Sequence, residues 1–131
     1  ELISLKKNKN VKFLGFVKEM INIYKKTSIV CLPSYREGFS RTLQEAAALG
    51  IPVVTTNTIG CKDAIIPKKT GLLCKVKDSL SLEKKLDSLI QNKKKRIIYG
   101  KNGRLLAIKK FDLNKVIIKN LNTYKNLISN E

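Results

Sequence analysis

The sequence predicts an α/β fold in which a parallel sheet is flanked by helices. Short apolar runs alternate along the chain with segments whose apolar residues recur at helical spacing, and the last third shows helical spacing throughout. Strands separated by helices form a parallel sheet with right-handed crossovers. A length of 131 residues favours one domain. We therefore expect a single Rossmann-like layer fold with a helical C-terminal third.

Four short apolar runs are the predicted strands. Each has at most one charged residue, as buried parallel strands do, and Pro52–Thr56 is also rich in β-branched residues. The predicted strands are Val11–Phe16, Ser28–Leu32, Pro52–Thr56 and Gly71–Val76.

The predicted helices are marked by apolar residues three or four positions apart. These residues are Met20, Ile23 and Tyr24 in Glu19–Lys25; Leu43, Ala46, Ala47 and Leu49 in a helix ending near Gly50; Leu82, Leu86, Leu89 and Ile90 in a third helix; and Ile117, Leu121, Tyr124 and Ile128 in the last. A further helix is expected from about Lys93 to Lys109, and a short helical piece near Asp63–Ile66. Asp112 is the predicted N-cap of the last helix.

The composition excludes several kinds of site. The chain has 27 Lys plus Arg, 10 Asp plus Glu and no histidine, so its net charge is +17. Without histidine, Ser-His-Asp and Cys-His catalysis and His-ligated metals are excluded within this chain. The charge itself is compatible with nucleic acid, anionic lipid or a solvated lysine-rich surface. Because aromatic interleaving, arginine-rich reading helices and a zinc knuckle are all missing, we do not expect a nucleic-acid partner.

Three cysteines, Cys31, Cys61 and Cys74, form no Cys-x-x-Cys pair. We expect reduced, mostly buried thiols of a cytoplasmic protein. No apolar run approaches the ~20 residues that a transmembrane helix needs. The sequence lacks an initiator methionine and opens in a charged stretch, so we interpret it as part of a longer protein.

The candidate site follows the second predicted strand, because ligands of parallel sheets bind at the carboxyl ends of the strands. The loop Ser34–Phe39 leads into a helix start, whose free N–H groups and dipole favour a phosphate. Glu37 and Glu45 lie eight positions apart around this helix start. Each carboxylate suits a vicinal diol, so the pair could hold the two sugars of a nucleotide-sugar. Spacing alone favours the other interpretation, in which Glu37 is exposed to solvent and Glu45 is a first-turn residue that merely favours the helix.

Several matched positions in this segment resemble a known signature. The positions are Pro33-Ser34, Glu37-Gly38-Phe39, Leu43, Glu45-Ala46, Gly50 and Pro52-Val53-Val54. Together they resemble the Glu-x7-Glu region of family 4 retaining glycosyltransferases of the GT-B fold, the type that builds bacterial surface polysaccharide and lipid-linked oligosaccharide. Thr55–Asp63 and Gly71–Leu73 are similar to the following family segments. The resemblance implies that residues 1–131 are one incomplete C-terminal nucleotide-sugar-binding domain, without the N-terminal acceptor domain.

The resemblance also implies roles for individual residues. Glu45 would bind the ribose hydroxyls. Glu37 is the catalytic position and would bind the hydroxyls of the donor sugar. The backbone of Gly38, Phe39 and Ser40 would line the sugar and the diphosphate. The phosphate-facing helix start would be formed by Arg41, Thr42 and Leu43. The nucleobase would be held by Gly15, Phe16 and Val17.

The implied reaction is retaining transfer of a hexosyl group from a nucleotide-sugar, which in the family is usually UDP-linked, to a glycan or lipid-linked acceptor, without a metal or other cofactor. Two positions depart from the family pattern. Ser40 stands where relatives commonly have Gly or Pro, and Asp63 stands where Glu is frequent. The Arg and Lys that neutralise the diphosphate in the family lie upstream of this sequence, so the chain alone is expected to be inactive.

Two alternatives remain. One is a nucleotide-sugar epimerase of the GT-B fold, and the other is a basic module that binds nucleic acid or a membrane. A related expectation is peripheral contact with the inner face of the cell membrane. The segment Lys84–Lys110 and the face formed by Lys115, Lys119 and Lys125 would provide that contact.

Overall fold

A three-stranded parallel sheet lies at the centre of the computed structural model, which describes residues 2–129. Strands β1 (Val30–Leu32), β2 (Val53–Thr56) and β3 (Gly71–Cys74) lie side by side in that order. In register, Val53 pairs with Val30 on one edge of β2 and with Gly71 on the other. The predicted parallel sheet flanked by helices is confirmed.

Within the described range, six α-helices and one short 3₁₀ helix connect and flank the strands. They are α1 (Leu2–Lys7), α2 (Met20–Tyr24), α3 (Arg41–Ala48), the 3₁₀ helix Lys62–Ala64, α4 (Ser79–Ile90), α5 (Lys93–Lys110) and α6 (Leu113–Ile128). Helix α1 was not predicted, whereas the others agree with the sequence pattern to within a few residues. The helical C-terminal third is confirmed.

The prediction of a strand at Val11–Phe16 is wrong. This segment is irregular and exposed, and 94% of the Phe16 surface is accessible. A strand is stable only when a neighbour pairs with its N–H and C=O groups. In the part of the chain that the structure describes, the sheet ends at β1, and the apolar run has no strand to pair with.

The core lies on both faces of the sheet, because successive residues of a strand point to opposite sides. Val53 belongs to a cluster with Leu43 and Ala46 of α3, whereas Val54 contacts a second cluster. The second cluster contains Leu72, Leu89 and Tyr99, and Leu82 and Leu86 pack against it. Helix α3 therefore packs on one face of β2, and α4 and the start of α5 pack on the other.

Side-chain caps determine where four of the helices begin. Ser40, Asp78, Asn92 and Asp112 each accept a hydrogen bond from a backbone N–H in the first turn that follows. The predicted cap at Asp112 is confirmed, with Oδ1 2.9 Å from the N–H of Asn114. At the other end of α3, Gly50 adopts a φ of +71°, a left-handed conformation that favours glycine after a helix.

Several predicted apolar faces are not buried. Leu49 and Ile90 are exposed, and α6 has no buried residue, although its apolar residues are correctly spaced. Periodicity identifies the apolar face of a helix but cannot show what covers it. Within residues 2–129, we find no helix with the length and apolar character that crossing a bilayer requires.

All three cysteines are free, and Cys61 and Cys74 are buried whereas Cys31 is exposed. Burial raises the pKa of the Cys74 thiol, which therefore stays protonated at neutral pH.

Removal of the Leu43 side chain tests the core between α3 and the sheet. Leu43 is fully buried, so Leu43→Ala is expected to lower the free energy of unfolding by about 2–5 kcal/mol. Leu105→Ala is the matched control, because Leu105 is 65% exposed on α5 and its loss should cost less than about 0.5 kcal/mol. Urea unfolding of both variants measures the difference, and equal losses would contradict the assigned core.

Candidate functional site

The loop after β1 is attached to the middle strand of the sheet. The Thr55 hydroxyl donates to the Leu32 carbonyl at 2.8 Å, and the Thr56 hydroxyl donates to the Ser34 carbonyl. Both threonines are buried, so these bonds are shielded from water. They determine the direction in which the chain leaves β1.

The turn before the 3₁₀ helix packs directly behind this loop. Gly60 has a φ of +81°, and a Cβ added there would overlap the Gly38 carbonyl oxygen and lie 2.5 Å from the Glu37 carbonyl oxygen. Only glycine permits this approach of two backbones. The Gly60 N–H donates to Asp63 Oδ2 at 3.1 Å, which holds the turn in place. Gly60 and Asp63 therefore support the backbone of Glu37 and Gly38.

A cleft of about 700 Å³ opens between the loop and the turn. Its lining includes Arg36, Glu37, Gly38, Asn57, Thr58 and Lys62. Glu37 is half-buried, and its Oε2 lies 3.3 Å from the Ser34 hydroxyl, which is also 2.9 Å from the Arg36 carbonyl. The cleft thus combines a carboxylate that can accept hydroxyl protons with two cationic side chains that favour a phosphate.

Helix α3 begins directly after this loop, at the buried residue Ser40. The Leu43 N–H donates to Ser40 Oγ at 3.5 Å, and the Leu43 side chain belongs to the core. The amides of Arg41 and Thr42 lie in the first turn, where helix geometry provides no intrahelical partner. This end of α3 therefore offers N–H donors and a positive dipole to an anion.

Glu45 lies one turn further along α3, with its side chain exposed. Its Oε2 accepts a hydrogen bond from the Tyr24 hydroxyl at 3.1 Å. Glu45 borders two shallow cavities: one of about 330 Å³ with Met20 and Leu49, and one of about 360 Å³ with Arg104.

Phe39 is held between α3 and the end of α5. Its ring meets Phe111 edge-on, with 5.3 Å between centroids, and Gln44 Nε2 donates to its carbonyl at 3.2 Å. Gly15, Phe16 and Val17 lie outside the cleft and outside both cavities beside Glu45. The structure therefore brings Glu37 and Gly38 together in one cleft and gives Glu45 separate surroundings.

Sequence reasoning missed the role of Tyr24 and of Gly60. Tyr24 occupies an apolar position of helical spacing, and its polar partner is 21 residues away. The contact of Gly60 with Gly38 joins segments that are not adjacent in sequence. No local pattern marks either contact. In the described portion, no group of three or more Asp, Glu, Cys or His side chains is placed to hold a metal ion.

Comparison with known proteins shows the family to which the chain belongs. Residues 1–106 match the family of glycosyl transferases group 1. The chain is 32% identical over 111 residues to the capsular polysaccharide biosynthesis glycosyltransferase CapM of Staphylococcus aureus, covering 85% of this chain and 29% of CapM. It is also 32% identical over 120 residues to the N,N'-diacetylbacillosaminyl-diphospho-undecaprenol alpha-1,3-N-acetylgalactosaminyltransferase of Campylobacter jejuni. This match covers 92% of this chain and 32% of the Campylobacter enzyme.

The fold is similar to that of HepE from Anabaena, whose crystal structure was determined in complex with UDP-glucose. The TM-score is 0.87 at 24% identity, over 95% of this chain and 35% of HepE. The chain spans roughly a third of the length of these relatives. It belongs to the group 1 glycosyl transferases of the GT-B fold and corresponds to their C-terminal domain.

Proposed function

We propose that residues 1–131 are the donor-binding domain of a retaining glycosyltransferase that transfers a hexosyl group from a UDP-sugar. The observation that carries this proposal is the start of α3, which lies between the Glu37 cleft and Glu45. The acceptor would be a glycan or a lipid-linked sugar, bound by a separate N-terminal domain. The names of the Campylobacter and Staphylococcus relatives, a diphospho-undecaprenol enzyme and a capsular polysaccharide enzyme, support this class of acceptor.

The sugar end of the donor is assigned to the large cleft. Glu37 accepts hydrogen bonds from the sugar hydroxyls, and the backbone of Gly38, Phe39 and Ser40 lies along the sugar and the diphosphate. A cleft of about 700 Å³ has room for a hexose and part of the diphosphate. The half-buried position of Glu37 strengthens its hydrogen bonds relative to those in bulk water.

The diphosphate is assigned to the first turn of α3, at Arg41, Thr42 and Leu43. Transfer breaks the bond between sugar C1 and a diphosphate oxygen, which leaves negative charge on the diphosphate. Backbone N–H groups and the positive helix end stabilise that charge without reorganisation. This stabilisation needs no metal ion, and metal-independent binding remains a prediction.

The nucleoside end is assigned to Glu45 and to the segment before α2. Glu45 accepts hydrogen bonds from the ribose diol, and Gly15, Phe16 and Val17 hold the nucleobase through main-chain groups. The family resemblance places the cationic groups that neutralise the diphosphate upstream of this chain. The chain alone is therefore proposed to bind a donor without transferring its sugar.

Titration of UDP and UDP-glucose, followed by NMR, tests the assignment. We expect shifts at Phe16 and at Gly38–Glu45. Glu45→Ala should weaken both ligands by about ten- to a hundredfold, because hydrogen bonds to a charged group contribute about 1.5–3 kcal/mol. Glu37→Ala should weaken UDP-glucose and leave UDP almost unchanged. Glu83→Ala, an exposed carboxylate on α4, is the control and should change neither affinity.

Shifts confined to other parts of the chain would contradict this site. The epimerase alternative is tested with the full-length enzyme. Incubated with UDP-glucose and no acceptor, it should produce no other UDP-sugar, and conversion into another UDP-sugar would support the epimerase.

Gly60→Ala tests whether the turn supports the Glu37 loop. The added Cβ must displace Gly38, so the affinity for UDP-glucose should fall by about tenfold, and UDP binding should change little. Gly50→Ala is the matched control: its φ is also positive, at +71°, but the added Cβ would only touch the Gly100 carbonyl group, at an ordinary 3.6 Å from its oxygen. Isothermal titration measures both ligands. Equal losses in the two variants would show that backbone strain, rather than displacement of the loop, is responsible.

We also propose that the basic surface of α5 and α6 contacts anionic lipid. The stretch Lys84–Lys110 contains 10 of the 27 cations, and α6 carries Lys115, Lys119 and Lys125 without an acidic residue. A lysine near an anionic membrane contributes about 1 kcal/mol. Attachment here would bring the domain close to a lipid-linked acceptor.

Vesicle co-sedimentation tests this contact. The chain should bind vesicles rich in phosphatidylglycerol and not phosphatidylcholine vesicles. Changing Lys115, Lys119 and Lys125 to Glu should weaken binding by roughly a hundredfold or more. Changing Lys6, Lys7 and Lys9 to Glu is the control. It alters the net charge by the same amount and should weaken vesicle binding less. Binding that does not depend on anionic lipid would exclude the proposal.

A further inference from the structure

Tyr24 is a buried side chain with a polar end. It is 6% exposed and packs in the apolar cluster that contains Leu43 and Ala46. A buried tyrosine hydroxyl needs a hydrogen-bond partner, because an unpaired one loses its contact with water without compensation. Its partner is Glu45 Oε2, at 3.1 Å. The hydroxyl of a core residue thus reaches an exposed side chain of the candidate site.

This contact restricts a side chain that would otherwise move. A glutamate on a helix surface samples several rotamers, and fixing one of them costs conformational entropy when a ligand binds. The bond from Tyr24 holds Oε2 on the side of α2. The bond itself is partly buried, which strengthens it relative to a bond in bulk water, and it lies beside the cavity of about 330 Å³ that is lined by Tyr24, Met20, Ile21 and Leu49. Oε1 and the remaining lone pairs of Oε2 stay available as acceptors.

We propose that Tyr24 is a positioning residue that orients the Glu45 carboxylate toward a ribose diol and so makes the site discriminate ribonucleotides from deoxyribonucleotides. The inference rests on the proposed role of Glu45 in nucleotide binding. A carboxylate held in one orientation can accept from both hydroxyls of a ribose at once, whereas a mobile carboxylate must be ordered first. The selectivity therefore depends on a residue that need not touch the ligand.

The protonation state of Tyr24 is consistent with this role. Burial raises the pKa of its phenol above the ordinary value, and the hydrogen bond to Glu45 raises it further. The phenol therefore remains a neutral donor across the neutral pH range. The bond to Glu45 is retained throughout that range.

Tyr24→Phe removes the hydroxyl and keeps the ring in the apolar cluster. Dissociation constants for UDP and 2′-deoxy-UDP are to be measured by isothermal titration with the wild-type chain, Tyr24→Phe, Glu45→Ala and the double variant. The wild-type chain should bind UDP about tenfold more tightly than 2′-deoxy-UDP. In Tyr24→Phe this ratio should fall to about two or less, mainly through weaker UDP binding. The double variant should show no further loss relative to Glu45→Ala, because both changes act through one carboxylate.

Tyr99→Phe is the matched control. Tyr99 is also buried, at 8% exposure, but it belongs to the cluster on the opposite face of the sheet. This variant should keep the wild-type ratio between the two nucleotides. Urea unfolding of both variants separates a change in ligand selectivity from a general loss of stability, since a purely structural role of Tyr24 would weaken both nucleotides equally.

Each contrary result identifies a different error. If Glu45→Ala abolishes the selectivity and Tyr24→Phe preserves it, Tyr24 is not a positioning residue, although the proposed function stands. If Glu45→Ala preserves the selectivity, the ribose role of Glu45 is wrong, and the inference about Tyr24 falls with it. If the wild-type chain binds neither nucleotide, the proposed function itself is overturned.

Discussion

The hydrogen bonds of strand β2 are the interactions on which the rest of this structure depends. All four residues of β2 are buried, and the strand pairs with β1 on one edge and with β3 on the other. The hydroxyls of Thr55 and Thr56 extend this pairing to the carbonyls of Leu32 and Ser34, beyond the regular ladder. Through these bonds the loop that carries Glu37 is attached to the most protected part of the molecule. The position of the candidate site is thus a direct consequence of sheet formation.

Helix α3 belongs to the core and to the site at the same time. Leu43 and Ala46 are completely buried, whereas Glu45 between them in sequence is exposed, because helical periodicity separates their faces. The two carboxylates of the site depend on different parts of the fold. The backbone of Glu37 is supported by the turn at Gly60, and the side chain of Glu45 is held by Tyr24 of α2. Because the two supports are separate, a substitution at one of them can change binding of the sugar end of the proposed donor without changing binding of the nucleoside end, or the reverse.

Acidic residues are scarce in a chain with a net charge of +17, and several of them have identifiable structural tasks. Asp78 and Asp112 cap helices, and Asp63 accepts the N–H of Gly60. Glu37 and Glu45 flank the start of α3. The positions of these few carboxylates are therefore more informative about function than the excess of lysine, much of which is exposed to solvent. The charge alone was compatible with nucleic acid, anionic lipid or a solvated surface, whereas the family resemblance around the two glutamates implied sugar hydroxyls as the groups to be recognised.

The sequence by itself determined the three strands, the helices that follow them, the cap at Asp112, and the placement of Glu37 and Glu45 around a helix start. These features depend on periodicity, capping and motifs, which act over a few residues. Only the tertiary structure decided that Val11–Phe16 has no strand partner, that α6 leaves its apolar face exposed, and that Tyr24 bonds to a residue 21 positions away. The close approach of Gly60 to Gly38 was likewise decided by the tertiary structure. Such contacts join segments that are distant in sequence, and they exist only once the sheet has brought those segments together.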